Sequence, residues 1–326
     1  EAKAYEHIKD AVNRGRCVVW VRNTVFDAKA AWQKWQKDYP DTNATLFHAR
    51  FALVDRLHIG RALEHDFGNE SGNATRQGKV VFATQVVEQS LDVDFDDMIT
   101  DLAPMDLIIQ RAGRLQRHTR DASGNRIKGK DQRGGVCLTV LMPEPIPEAK
   151  ANWYAQLFPK AKKVYPDHGK LWLTANWLKS NGAFQMPEQA RCMIETVYAG
   201  MTEFKAPEGL AKAVQNAEGE RLGGQAMANF NSLNFDAGYD PTGMKWKDDD
   251  DVPTRLGEKT VRVRLAKVTE EGLKPWAETE TGMEWALSEL TVPYRLIKDE
   301  SRHWQVEIEA ARQTMNTIKY RDGTKV

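Results

Sequence analysis

Gln110, Arg111, Arg114 and Arg117 stand in the segment QRAGRLQRH, residues 110–118. Three arginines recur there every three residues. The run LII ahead of them predicts a helix over PMDLIIQRAGRLQR, with Pro104 in its first turn and Arg114 and Arg117 on one face. Gly113 allows close backbone approach. A guanidinium stays charged and binds phosphate oxygens as a planar fork. Beside a triphosphate it stabilises the charge that develops as the terminal phosphoryl group moves. A second polar cluster lies upstream. In ATQVVEQSLDVDFD, residues 83–96, an apolar strand runs into Thr84 and Gln85, and Glu88, Ser90, Asp92 and Asp94 alternate with Val86, Val87, Leu91 and Val93. Asp94, Asp96 and Asp97 read as a solvated turn.

These residues need a scaffold that gathers them. CVVWV (17–21), TLFH (45–48), VVFAT (80–84), MITDL (98–102) and VCLTVLM (136–142) have strand length and strand composition. Helical patterns separate them. One opens the chain at EAKAYEHIKDAVNRG. Another starts at Thr24, with Asp27 in capping-box spacing and Ala28, Ala31, Trp32, Trp35 and Tyr39 along it. A third covers LVDRLHIGRALEHDF (53–67). Strand and helix in alternation predict a parallel sheet covered on both faces. In such a sheet the strand ends and the following helix starts gather at one edge.

The chain has 326 residues, with 46 Lys+Arg balanced by 46 Asp+Glu, so nucleic-acid binding must be argued from local patches and not from net charge. One patch is the basic stretch 111–133, with eight Lys or Arg against Asp121 and Asp131. Cys17, Cys137 and Cys192 show no disulfide framework or zinc spacing, and a reducing compartment is expected. No run is long and apolar enough to span a membrane. The first residue is Glu, and the chain reads as a piece of a longer protein.

Together these segments resemble the second RecA-like domain of a superfamily 2 helicase. VRNTVFDA is similar to motif IV, LFHARFALVDR to the strand and turn that follow it, ATQVVEQSLDVDFD to motif V and QRAGRLQRH to motif VI. With the Trp-rich remainder and its PTRLGEKTV segment, the chain resembles the helicase–nucleases of type I CRISPR systems, most like subtype I-E. The fold implied is α/β, a RecA-like parallel sheet with helices on both faces followed by a mixed α+β C-terminal domain. The implied boundaries are 1–142 for the RecA-like domain, 143–152 for a linker and 153–326 for the C-terminal domain.

The resemblance also assigns roles. Gln110 matches the sensor of the terminal phosphate, Arg114 and Arg117 the arginine fingers, and Asp92 the acid linking nucleotide to strand. Asn23, Thr24, Arg50, Thr84 and Gln85 match positions that grip the backbone of a single DNA strand. The cofactors implied are ATP and Mg2+, in a site completed by a first RecA-like domain that this chain lacks. The partners implied are single-stranded DNA, an RNA-guided CRISPR surveillance complex and the N-terminal nuclease and first RecA-like domains, in a prokaryotic cytoplasm. Alone, the chain is expected to hydrolyse almost no ATP and to cut no DNA. The alternatives are another superfamily 2 RNA or DNA helicase, or a catalytically silent docking module.

Three apparent motifs are rejected. GNRIKGKD (124–131) matches a phosphate loop in its first seven positions, but Asp131 stands where a hydroxyl should meet magnesium. DESRH (299–303) lacks the strand that would aim its acids. EHD (64–66) is one His-Asp pair, and no resident metal site is expected.

Beyond residue 150, LWLTANWLKS (171–180) and MPEQARCMIETVYAG (186–200) predict buried helices. Residues 216–251 read as a long surface loop, TVRVRLAKV (260–268) as a strand, and Trp304 to Ile318 as a helical pattern. Seven of the ten Trp residues fall in this half, at 153, 172, 177, 246, 276, 285 and 304. Core packing is the reading for Trp172, Trp177 and Trp304.

Overall fold

The computed structural model describes residues 1–89, 91–199, 205–231, 260–270 and 272–293. Ser90, Trp246, Trp304, the DESRH segment, most of PTRLGEKTV, residues 232–251 and the pattern 304–318 lie outside them.

The first half alternates as its hydrophobic pattern requires. In order come α1 (Ala2–Asn13), β1 (Val18–Val21), α2 (Val25–Asp38), β2 (Ala44–Phe47), α3 (Leu53–Phe67), α4 (Asn73–Arg76), β3 (Val80–Ala83), α5 (Val86–Gln89), β4 (Asp97–Asp101), α6 (Met105–Ala112) and β5 (Cys137–Leu141). The five strands form one parallel sheet in the order β2-β3-β1-β4-β5. Alternate side chains of β1 serve opposite faces. Val18 and Trp20 join Val80, Phe82 and Ile99 under α1 and α2, against Ile8, Ala31 and Trp35. Val19 and Val21 join Val81, Ala83 and Met98 under α3, against Leu63, Phe67 and Phe95. Thr24 caps α2 as its spacing predicts: its Oγ1 accepts from Asp27 N at 3.0 Å and donates to Asp27 Oδ2 at 2.7 Å.

Helix α6 ends at Ala112, five residues short of the helix expected over 104–117. Beyond Gly113 the chain pairs with the segment leading into β4. Phe95 N donates to Arg114 O at 2.9 Å, and Gln116 N donates to Phe95 O at 3.0 Å. Gln116 takes a positive φ of 44°. Arg114, in the turn that closes α6, and Arg117, beyond it, therefore share no helix face.

The acids expected in a solvated turn are buried: Asp94 is 0% exposed, Asp96 6% and Asp97 3%. They are buried because arginines meet them. Asp94 accepts from Arg120 Nε at 2.6 Å, Arg133 Nη1 at 3.0 Å and Arg117 N at 2.9 Å, and Arg76 Nη1 lies 3.5 Å away. Asp96 accepts from Arg76, Arg133 and Cys17 N, and Asp97 from Arg16. Burial pushes the Asp96 carboxyl up, but the Arg76 guanidinium and the Cys17 amide outweigh it and hold it below the usual carboxylate range. Part of the basic stretch 111–133 is thus folded inward: Arg111 and Arg120 have no exposed surface, and Arg133 has 8%.

The second half contains α7 (Trp153–Leu157), α8 (His168–Asn181), α9 (Ala190–Tyr198), α10 (Ala211–Asn231), β6 (Thr260–Arg264), β7 (Ala266–Thr269), β8 (Gly272–Pro275), α11 (Glu284–Leu287) and β9 (Glu289–Pro293). β6 pairs antiparallel with β9, and β7 with β8, so the strand expected over 260–268 breaks at Leu265. Residues 216–231 belong to α10, where a loop was expected. Ala, Glu, Arg, Leu, Gln and Met dominate that stretch and outweigh three glycines costing about 1 kcal/mol each. Contact with α8 adds support: a Cβ at Gly169 would lie 2.5 Å from the Val214 side chain. α9 starts at Ala190, four residues later than expected.

One hydrophobic cluster crosses from sheet to helices, joining Leu102 to Trp153, Tyr154, Phe158, Leu171 and Trp172. Residues 143–152 hold no helix or strand, yet they are pinned: Trp153 Nε1 donates to Glu144 O at 2.6 Å, and Trp172 Nε1 donates to Ile146 O at 2.9 Å. Trp153 and Trp172 are core residues, whereas Trp276 is 40% exposed. No helix among the described residues is long and apolar enough to cross a membrane.

Asp94→Ala should lower the unfolding free energy by about 3–5 kcal/mol, because it strands buried guanidinium groups. Urea denaturation measures this, and a loss below about 1 kcal/mol would show that the arginines find other partners.

Candidate functional site

The carboxyl ends of β1, β2 and β3 open into a cleft of about 1750 Å³. Asn23, Thr24, Arg50, Thr84 and Gln85, separate in sequence, all line it. Its charged residues are Arg50, Arg56, Lys160, Lys162 and Lys163 against Glu220 and Glu289, so it attracts anions. Phe26, 57% exposed, also lines it, and Lys160 lies over its ring. An exposed aromatic ring beside lysines is a surface on which a base can stack while phosphates are neutralised.

The five residues contribute differently. Asn23 is 3% exposed, and its Nδ2 donates to Leu102 O at 2.7 Å and to Tyr154 OH at 2.9 Å. Its side chain braces the cleft wall. Thr24 spends its hydroxyl proton on Asp27. Thr84, 3% exposed, continues the sheet, its N–H donating to Phe47 O at 3.1 Å. Gln85 Nε2 donates to Asn23 O at 3.1 Å and to Tyr165 OH at 3.0 Å. Arg50 follows a tight turn in which its N–H donates to His48 Nδ1 at 3.1 Å. His48 is buried and stacks on Phe51 with centroids 4.2 Å apart. Burial, aided by Arg50 and Lys29, pulls the His48 imidazole down to about 4.

The residues expected at the nucleotide lie elsewhere: Gln110, Arg114, Arg117 and Asp92 do not line the cleft. Gln110 is exposed in the last turn of α6. Arg111 faces inward, donating to Glu88 Oε1 at 2.7 Å, Thr100 Oγ1 at 2.6 Å and Tyr165 OH at 3.2 Å. Burial raises the Glu88 carboxyl even against the pull of Arg111. Arg114 is half-buried; one Nη donates to Glu88 O at 2.5 Å, while Nε is buried without a hydrogen-bond partner. Arg117 is 40% exposed and its Nε lies 2.9 Å from Asp92 Oδ1, which also meets His118 at 3.2 Å. The arginine run is therefore split into one internal brace, one half-buried side chain and one exposed side chain with an acidic partner.

Sequence reasoning overlooked Lys160, Lys162 and Lys163. Their signal was visible in FPKAKKVYPD, a basic run between prolines. It noted Glu88 without its partner Arg111 and missed Tyr165, since both roles depend on contacts remote in sequence. Among the described residues, His7, Asp97 and Cys137 bring metal-ligand atoms within 4.8 Å of one another. Both Asp97 oxygens already accept from Arg16, at 2.5 and 3.2 Å, so a guanidinium holds the place a cation would take.

A parallel sheet in this order, with polar strand ends at one edge and arginines in and beyond α6, defines a RecA-like α/β fold. Residues 14–120 match the family model "CRISPR-associated nuclease/helicase Cas3, C-terminal". The chain is 31% identical over 220 residues to the CRISPR-associated endonuclease/helicase Cas3 of Escherichia coli (strain K12), covering 65% of this chain and 22% of that protein. Its fold is similar to the crystal structure of T. fusca Cas3 with AMPPNP (TM-score 0.67, 27% identity), covering 88% of this chain and 33% of that one. It is also similar to a chain of a CRISPR RNA-guided surveillance complex in a pre-nicking state (TM-score 0.62, 27% identity), covering 89% of this chain and 35% of that one. In sequence and in fold the chain is similar to the C-terminal part of Cas3 proteins. It spans about a fifth of the Escherichia coli relative and about a third of these solved chains.

His48 supplies a pH test. Its folded value of about 4 lies below the ordinary 6.5, so the unfolded chain takes up the proton first as pH falls. The stability His48 contributes is present above 6.5 and is lost down to about 4. The urea midpoint of the wild type should fall more steeply across that window than that of His48→Asn. Parallel curves would show that His48 does not titrate as described.

Proposed function

We propose that this chain supplies half of an ATP site and part of the DNA track of an ATP-dependent single-stranded DNA translocase and nuclease acting in type I CRISPR interference. The observation that carries the reading is the convergence of Asn23, Thr24, Arg50, Thr84 and Gln85 on one cationic cleft, away from Arg114 and Arg117. Motifs IV, V and VI are the segments containing Asn23 and Thr24, Thr84 and Gln85, and Gln110 to Arg117. The domain scheme is 1–142, linker 143–152 and 153–326, with the lysines of the third segment forming one side of the track.

ATP with Mg2+ would supply the free energy of closure when bound, its site completed by a first RecA-like domain. Arg114 and Arg117 would hold its terminal phosphate and stabilise the charge that develops on phosphoryl transfer. Arg117 exchanges its exposed partner Asp92 for phosphate at little cost, since exposed pairs contribute about 0–1 kcal/mol. Gln110 reports the terminal phosphate. In the cleft, Arg50 and the lysines neutralise phosphates, Phe26 supports a base, and the wall built by Asn23 and Thr84 fixes their spacing. The partners are single-stranded DNA, the RNA-guided surveillance complex, and the metal-dependent nuclease and first RecA-like domains of the intact protein, in a prokaryotic cytoplasm. The similar fold of a Cas3 crystallised with AMPPNP, and of a chain in an RNA-guided surveillance complex, supports the assignment.

Combining the chain with a phosphate-loop domain tests the proposal. The chain alone should show ATPase at background level, and the combination should show DNA-stimulated turnover. Arg114→Ala should then cut turnover by about 10³ or more while DNA affinity changes less than about twofold. Equal loss of both, or robust ATPase from the chain alone, would overturn it. Separately, the double variant Lys162→Ala, Lys163→Ala should weaken oligothymidylate binding and lower the log–log salt slope by about 1 to 2. An unchanged slope would place the strand elsewhere.

A further inference from the structure

We infer that the Tyr165 hydroxyl is a positioning group that ties the strand cleft to the arginine segment. Resting on the function proposed above, it makes one network of two sites that line different surfaces. Tyr165 follows the basic run Lys160 to Lys163 and precedes α8. Its neighbours Val164 and Pro166 line the cleft, and its own side chain lies behind the wall. The phenol oxygen accepts from Gln85 Nε2 at 3.0 Å and from Arg111 Nη2 at 3.2 Å. Those donors come from the two motifs a motor must coordinate.

The path continues without a gap. Arg111 Nε holds Glu88 Oε1 at 2.7 Å, and Glu88 O accepts from Arg114 at 2.5 Å. From Gln85 at the cleft to Arg114 there are four consecutive hydrogen bonds through Tyr165, Arg111 and Glu88. Gln85 immediately precedes the four-residue helix α5 and Glu88 lies within it, its N–H donating to Gln85 O at 3.1 Å, so displacement of one moves the other. Both N–H groups of Gln85 are held, by Tyr165 and by Asn23 O, so its orientation in the cleft is set from behind. When Arg114 moves toward phosphate, Glu88 O loses that donor, and the change reaches Gln85 through Arg111 and Tyr165.

Phenylalanine keeps the ring and removes only the shared acceptor. In the intact protein, Tyr165→Phe should lower the ratio of DNA-stimulated to unstimulated ATPase about fivefold, with a melting temperature within about 3 °C of wild type. Gln85→Leu should lower the ratio similarly, and the double variant should be no worse than either single one, because both break the same link. A wild-type ratio in Tyr165→Phe, or effects of the two substitutions that multiply, would overturn the inference. So would a parallel fall of both rates with loss of melting temperature, which marks a merely structural hydroxyl. If the wild-type intact protein shows no stimulation by DNA, the proposed function fails and not this link alone.

Discussion

Asp94 is a carboxylate with no exposed surface on which the arginine segment depends. Taking a carboxylate out of water costs several kcal/mol unless charge and hydrogen bonds replace the solvent. Here Arg120 and Arg133 replace it, and Arg117 N supplies a further donor. The consequence is geometric. The chain leaving α6 cannot drift from the sheet, because Arg117 N and two side chains from the following loop are bound to a residue just ahead of β4. Arg120 extends the clamp to Ser71 and Gly68, tying the α3–α4 connection to the same point. A half-exposed Arg117 thereby projects from a rigid base.

A second ion pair performs the equivalent task nearer the cleft. Glu88 and Arg111, both without exposed side-chain surface, meet at 2.7 Å between α5 and α6. The arginine's remaining N–H groups go to Thr100, Asp101 O and Tyr165, so its guanidinium is fully engaged by β4 and the segment before α8. Two buried clusters, one at Arg111 within α6 and one at Arg120 and Arg133 beyond it, leave Arg114 and Arg117 between them in sequence with few positions to occupy. Such pairs are weak contributors to net stability, but they discriminate strongly against arrangements that leave a charge alone.

Much of the sheet was legible because parallel strands buried on both faces announce themselves as short apolar runs. VVWV and VVFA are buried throughout, and Thr24 with Asp27 marked the start of α2 by local chemistry alone. What failed was non-local. QRAGRLQR has helical composition, yet Phe95 offers a backbone partner that ends α6 at Ala112. DVDFDD looks solvated until Arg16, Arg76, Arg120 and Arg133 arrive from 16 to 133. The loop expected at 216–231 failed for the opposite reason: its glycines drew more weight than the helix formers around them. In the site, the five cleft-lining positions could be assigned to one edge from strand ends, whereas Lys160, Lys162 and Lys163 reach the same cleft only through the packing of α7 and α8 on the sheet.

That packing bears on why the two halves of the chain function together. Tyr154 holds Asn23, and Tyr165 holds Gln85 and Arg111, so two tyrosines from beyond residue 150 complete the hydrogen bonds of residues in the sheet domain. Asn23 and Arg111 are buried polar groups, and each would be left short of a partner if the helices were removed. A sheet domain deprived of α7 and α8 would lose one wall of its cationic cleft and the bracing of the opposite wall at once. The cleft is therefore a property of the packed pair and not of either half, and its wall is inseparable from the contacts that orient Arg111.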